Sequence, residues 1–322
     1  MFRIAIIGLG LIGTSLGMAL RNADPNESPL GKVEVMGFDR EPRVTRAARG
    51  RLAIDREAHT LADAVREAQL VVVATPVRAI QDVFRELAAL LPSGAIVTDV
   101  ASTKALVCQW AAELLPSTVS FVGGHPMAGR EHSGPEAADP DLFREAIYCL
   151  TATSTTAPHA VSCVEAMVRA VGAKPYYIDP EEHDAYVAGI SHLPLLLSVG
   201  LVSTTSATPG WKEMAALAAT GFRDVSRLAS GNPQMQRDIL LTNPHGLARW
   251  IDDMIRFLVT VREQITTGDV AAIESMLQRA KVTRDAWLES KPHLRPGEAD
   301  FNAMPTIERP SLLGFHLPRR DK

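Results

Sequence analysis

The chain has 322 residues, 46% of them hydrophobic and 22% charged, with a formal net charge of −4. That is enough chain for two domains with apolar cores of their own, and it lacks the basic excess of a nucleic-acid binder. Three scattered cysteines, Cys108, Cys149 and Cys163, exclude a disulfide framework, no cluster has metal-ligand spacing, and the apolar stretch 193–202 is about half a bilayer span. A soluble, cytoplasmic protein is expected.

The first candidate strand, 3–7, passes at once into Gly8-Leu9-Gly10-Leu11-Ile12-Gly13 and then a helical pattern ending near Arg21. Glycines at this spacing permit a tight turn and a close backbone approach to a pyrophosphate, and the helix start adds free N–H groups. Gly8, Gly10, Leu11, Ile12 and Gly13 therefore form a candidate dinucleotide loop; a glycine-rich turn without a ligand is the alternative. The second candidate strand, 33–38, leads into Asp39, 26 residues past Gly13, and the polar insertion 24–29 accounts for the extra length. A carboxylate there accepts from both ribose hydroxyls and repels a 2′-phosphate, which favours NAD over NADP. Arg40 beside it tempers that preference, and a solvated turn residue is the plain alternative for Asp39.

Strand candidates at 70–74, 95–99, 119–123 and 146–151 follow, with amphipathic segments at 61–68, 80–90 and 104–114. This alternation predicts an α/β Rossmann domain with a parallel sheet, covered on both faces. Thr75 and Pro76 follow one strand and Asp99 ends the next, so these strand ends are expected to line the cofactor cleft. After the run 174–178 the strand signal stops, and 181–289 is helical in period, as at 247–267 and 270–287. The expected organisation is a dinucleotide-binding domain over 1–179, an all-α substrate and dimerisation domain over 180–290, and an irregular tail over 291–322. The apolar stretch 190–202 is richer than a small helical domain hides, which points to a homodimer through that domain.

Three further segments carry chemistry: Asp99-Val100-Ala101-Ser102-Thr103-Lys104; Gly123-Gly124-His125-Pro126-Met127-Ala128-Gly129-Arg130-Glu131-His132-Ser133-Gly134; and Gly221-Phe222-Arg223-Asp224-Val225-Ser226-Arg227. With the glycine loop and Ile190-Ser191-His192-Leu193-Pro194, the chain resembles the prephenate and arogenate dehydrogenases of tyrosine biosynthesis, in order, from Arg3 to about Ala286. The resemblance implies NAD-dependent oxidative decarboxylation of prephenate and/or arogenate to 4-hydroxyphenylpyruvate and/or tyrosine. Such an oxidation needs a base for the hydroxyl proton, and histidine titrates nearest neutral pH. By resemblance His125 is that base, and Ser102 bonds the same hydroxyl and orients the imidazole.

Arg223 and Arg227 are spaced to share one face if helical. The resemblance assigns the substrate's ring carboxylate to Arg227, with Asp224 and Glu131 in the polar network around it, while Arg223 reads as an ion-pair partner. His192 either faces the nicotinamide side of the cleft or is a core histidine. Leu195 stands where many prephenate-specific relatives carry a second histidine, and Gln236 where many carry tryptophan; both bear on substrate preference. Two rivals remain. A β-hydroxyacid-type NAD(P) dehydrogenase would need a lysine catalyst, and Lys212 is the only lysine between Glu181 and Lys281. A non-enzymatic NAD-binding redox sensor would not need Ser102, His125 and Arg227.

Overall fold

The structure is a computed structural model that describes residues 1–130, 132–153 and 156–290. The expected tail, 291–322, lies outside the described residues. By packing, the chain divides into two compact units, Met1–Leu247 and Ala248–Lys322.

The first unit is built on an eight-stranded sheet: β1 (Phe2–Ile7), β2 (Val33–Phe38), β3 (Arg56–Glu57), β4 (Leu70–Val73), β5 (Ile96–Asp99), β6 (Ser120–Pro126), β7 (Ile147–Thr151) and β8 (Lys174–Tyr177), in the order β3-β2-β1-β4-β5-β6-β7-β8. Every neighbouring pair is parallel except β6 and β7, which run antiparallel. The sheet is thus mostly parallel, with a direction change that strand periodicity cannot report. Side chains alternate between two cores. Ile4 and Ile6 join Leu16, Leu20, Val164 and Met167 on one face. Ala5 and Ile7 join Ile80, Phe84, Leu87 and Val107 on the other.

The helices that flank the sheet are α1 (Leu11–Asn22), α2 (Pro42–Gly50), α3 (Leu61–Val65), α4 (Val77–Ala88), α5 (Ala105–Leu114) and α6 (Pro158–Ala170). Beyond the sheet, α7 (Pro180–Val187) starts where the chain changes texture: Asp179 caps it by accepting from the amides of Glu181 and Glu182, and Pro180 takes the first helical position. A π-turn (Ala188–His192) joins α7 to α8 (Leu193–Ser206). Here the Leu193 N–H reaches back five residues to the Ala188 carbonyl. Pro194 has no N–H to continue the ordinary ladder, and the widened turn accommodates it. The helical run 180–206 is therefore far longer than the apolar stretch seen in sequence, and it is long and apolar enough to cross a membrane by length and composition. Its first turns, however, carry Glu181 and Glu182, and buried His183 and Asp184 that bond within the sheet-bearing unit.

Then come α9 (Trp211–Leu217), α10 (Thr220–Ser226), a 3₁₀ turn (Arg227–Ser230), α11 (Pro233–Thr242), α12 (Pro244–Thr267) and α13 (Val270–Glu289). The change of texture at 179 and the division by packing at 247 differ for a physical reason. Asp184 accepts from the Lys104 and Ala105 amides, and Thr242 bonds Thr103, so these helices are tied to the β5–α5 segment.

In the second unit, α13 buries no residue, and α12 buries only Leu247, which belongs to the first unit. Trp250, Phe257, Leu258, Ile265, Leu277 and Trp287 are exposed along the two helices.

Candidate active site

The strand order turns back between β1 and β4, and in open parallel sheets the ligand crevice lies outside the carboxyl ends at that point. Gly8 has φ +94°, and a Cβ there would stand 2.7 Å from the Ala74 carbonyl oxygen; at Gly13 it would stand 2.0 Å from the Gly8 oxygen. Glycine alone allows the turn to close against β4 and α1. Gly10 differs: a Cβ would meet nothing within 4 Å, so the space before the α1 N-terminus is open. No side chain caps this end and its first turn holds no acid, which leaves the amides around Leu11 and Ile12 for an anion.

Asp39 sits at the end of β2, where its carboxylate accepts from the Leu9 and Glu41 amides, each at 2.9 Å. That fixes the group and still leaves lone pairs. Arg40 is exposed. Thr75 Oγ1 is buried without a hydrogen-bond partner, and exposed Pro76 precedes α4. Open space, free amides and an orphan hydroxyl together fit a dinucleotide.

Asp99 requires a correction. It is fully buried, accepts from the amides of Ala101 (2.9 Å) and Gly124 (3.0 Å), and ion-pairs with sealed Lys104. Its oxygens are committed to protein groups, so it supports the cleft and does not line it. Lys104 Nζ also donates to the Gly124 carbonyl at 2.6 Å. A Cβ at Gly124 would lie 2.5 Å from the Asp99 carbonyl oxygen, so only glycine lets β6 pass this close to β5.

This clamp delivers His125 at the end of β6. The residue retains 9% of its surface, so its environment is dry but not sealed. Burial, reinforced by His183, Lys104 and His192, holds its imidazole well below the ordinary 6.5. His125 Nδ1 lies 2.9 Å from His183 Nε2, with the rings edge-on at 74°. His183 Nδ1 in turn lies 2.8 Å from Asp184 Oδ1. Asp184 also accepts from the Lys104 amide at 2.7 Å and the Ala105 amide at 3.0 Å. Among the described residues, His125 Nε2 has no hydrogen-bond partner.

The side chain within hydrogen-bond distance of the His125 imidazole is His183, where the sequence pointed to Ser102. Half-buried Ser102 forms no hydrogen bond with His125, whose Nδ1 faces His183. His192 closes the π-turn. It is 1% exposed, its Nδ1 lies 3.4 Å from Asn243 Nδ2, and its Nε2 is buried without a partner. Asn243 Nδ2 also donates to the Asp184 carbonyl at 2.6 Å. An amide nitrogen only donates, so His192 Nδ1 accepts and Nε2 carries an orphaned hydrogen. Burial pushes His192 down to about 4, with Asp184 opposing and His183 adding to the shift.

Glu131 lies outside the described residues. Arg223 and Asp224 are exposed and pair with each other at 2.9 Å, which places Asp224 in a surface ion pair. Arg227 is exposed at the start of the 3₁₀ turn; α10 ends at Ser226, so the two arginines do not share one continuous α-helix. Leu195 is buried in α8, and Gln236 donates to the Leu228 carbonyl at 2.8 Å.

His183, Asp184 and Asn243 are the site residues that sequence reasoning misses. One signal was available. The buried positions of α7 are 180, 183, 184 and 187, the inward stripe of a helix, and two of them are polar. Polar groups on such a stripe need partners.

Comparison with known proteins bears on this geometry. The family profile described as prephenate dehydrogenase, nucleotide-binding domain, matches residues 20–177, and that described as prephenate dehydrogenase, dimerization domain, matches 179–279. A prephenate dehydrogenase of Bacillus subtilis is 35% identical over 284 residues, covering 88% of this chain and 75% of the relative. The structure of a Synechocystis arogenate dehydrogenase is similar at TM-score 0.74 and 31% identity, covering 89% of this chain and all of that one. The structure of a prephenate dehydrogenase from A. aeolicus, in complex with hydroxyphenyl propionate and NAD+, is similar at TM-score 0.81 and 28% identity, over 89% and 98% of the two chains. With an open crevice and a buried histidine at the carboxyl end of the sheet, this chain is a dehydrogenase with a nucleotide-binding domain, and it belongs to the prephenate dehydrogenase family.

Proposed function

We propose that this enzyme oxidises and decarboxylates prephenate, arogenate or both, using NAD in preference to NADP, as a cytoplasmic homodimer. The observation that carries the reading is His125, buried at the end of β6 with Nδ1 occupied and Nε2 uncommitted. A ring hydroxyl that loses its proton as hydride leaves the same carbon needs such a base. A pKa held below 6.5 keeps the imidazole neutral and able to accept at physiological pH. When bound, NAD accepts the hydride.

The Gly8–Gly13 loop and the amides of Leu11 and Ile12 hold the pyrophosphate, and Asp39 holds the ribose, which disfavours a 2′-phosphate. Thr75 Oγ1 and the His192 Nε2–H offer hydrogen bonds that no described residue satisfies. Arg227 grips the ring carboxylate with its planar fork, with Glu131 and Asp224 in the surrounding network and Ser102 on the substrate hydroxyl. Loss of carbon dioxide aromatises the ring, so the protein supplies chiefly positioning and one base. Both candidate substrates carry the ring carboxylate and hydroxyl. Buried Leu195 gives no polar partner to a keto side chain, so arogenate is expected to be used at least as well as prephenate. Unpaired cysteines suit a reducing compartment.

NADH formation with prephenate and arogenate separately tests this reading. Turnover of at least one is expected. His125→Asn should keep NAD affinity and lose about 10²–10⁴-fold in kcat, and Arg227→Ala should chiefly raise KM. No NADH from either substrate would overturn the assignment.

A further inference from the structure

Which nitrogen of His125 can act as a base depends on where its one ring hydrogen sits, and hydrogen bonding sets that. The arrangement can be read outward from Asp184. Its carboxylate accepts from the Lys104 and Ala105 amides and faces His183 Nδ1 at 2.8 Å. A carboxylate has only acceptors to offer, so His183 Nδ1 carries a hydrogen and the neutral ring keeps a lone pair on Nε2. That lone pair points at His125 Nδ1, 2.9 Å away, and it can only receive. His125 Nδ1 then carries the hydrogen, and Nε2 keeps the lone pair.

We propose that His183, anchored by Asp184, is a positioning residue that holds His125 in the Nδ1–H form and thereby makes His125 Nε2 the base. This rests on the reading of His125 as the base in the proposed reaction. In the transfer, the substrate O–H bond breaks and a bond forms between that proton and His125 Nε2. The resulting imidazolium keeps its Nδ1–H on His183, with the Asp184 charge one ring further out. No second proton moves. The effect belongs to a known class: in a serine protease triad, a partner change that leaves the wrong tautomer costs about 10⁴ in kcat with the geometry intact.

Two variants and one spectroscopic measurement test it. His183→Phe fills a similar volume but accepts nothing, and it should lower kcat by about 10² or more while KM and NAD affinity stay within about threefold. His183→Gln can present an amide oxygen near the position of Nε2, and it should recover at least about tenfold of that loss. In protein with ¹⁵N-labelled histidine rings at neutral pH, His125 should show the Nδ1–H form in the wild type and lose it in His183→Phe. A wild-type spectrum with hydrogen on His125 Nε2 would overturn the proposal, because it would mean that His183 donates. So would a His183→Phe enzyme with near-normal kcat. The spectrum needs no turnover. If neither prephenate nor arogenate is oxidised, the substrate reading fails, while the His183 assignment is still decided by the ring nitrogens.

Discussion

Two buried imidazoles give the protein a definite response to acid. His192 titrates at about 4 in the folded chain and near 6.5 when exposed, and burial also lowers His125. Below pH 6.5 the unfolded chain therefore binds protons that the folded chain refuses, so stability falls as pH falls. At the usual 1.36 kcal/mol per pKa unit, His192 alone accounts for about 3 kcal/mol between pH 6.5 and 4. Urea unfolding across that range should show the decline, and His192→Leu should flatten it. An unchanged slope in the variant would mean that His192 is charged or accessible in the folded protein.

At the scale of the β1–α1 turn, two glycines of one motif should fail in different ways. A Cβ at Gly13 collides with the loop's own backbone, so Gly13→Ala should lower Tm and NADH affinity together. A Cβ at Gly10 enters open space, so Gly10→Ala should leave Tm near wild type and weaken NADH binding alone. Thermal melts and NADH titration separate the two; equal losses of stability would show that the space before α1 is filled. The loop and most strands are legible in the sequence because a fully buried parallel strand such as Leu70–Val73 must be continuously apolar. The short edge strand Arg56–Glu57 is not, since two polar residues carry no period. Nor is the reversed direction of β7, because a strand alternates alike both ways. His125, the proposed base, is legible through its motif, whereas its neighbours are not: His183 and Asp184 lie 58 residues or more along the chain, and their contacts appear only once α7 packs beside α5.

Across the whole molecule, exposed aromatic and aliphatic side chains on α12 and α13 mean that the described residues of the second unit form no core of their own. The matched family profile is described as a dimerization domain, and a second copy is the natural cover for such a surface. Light scattering at micromolar concentration should give twice the chain mass; a single-chain mass would exclude the homodimer. Within the first unit, the Asp184 carboxylate caps the start of α5 and bonds His183, while its backbone carbonyl receives Asn243. Many enzymes hold destabilising groups in their sites, so that replacing one gains stability as activity is lost. Residue 184 has no such exchange open to it. The carboxylate that keeps the helix from fraying also holds the His183–His125 pair, and selection acting on either property preserves the other.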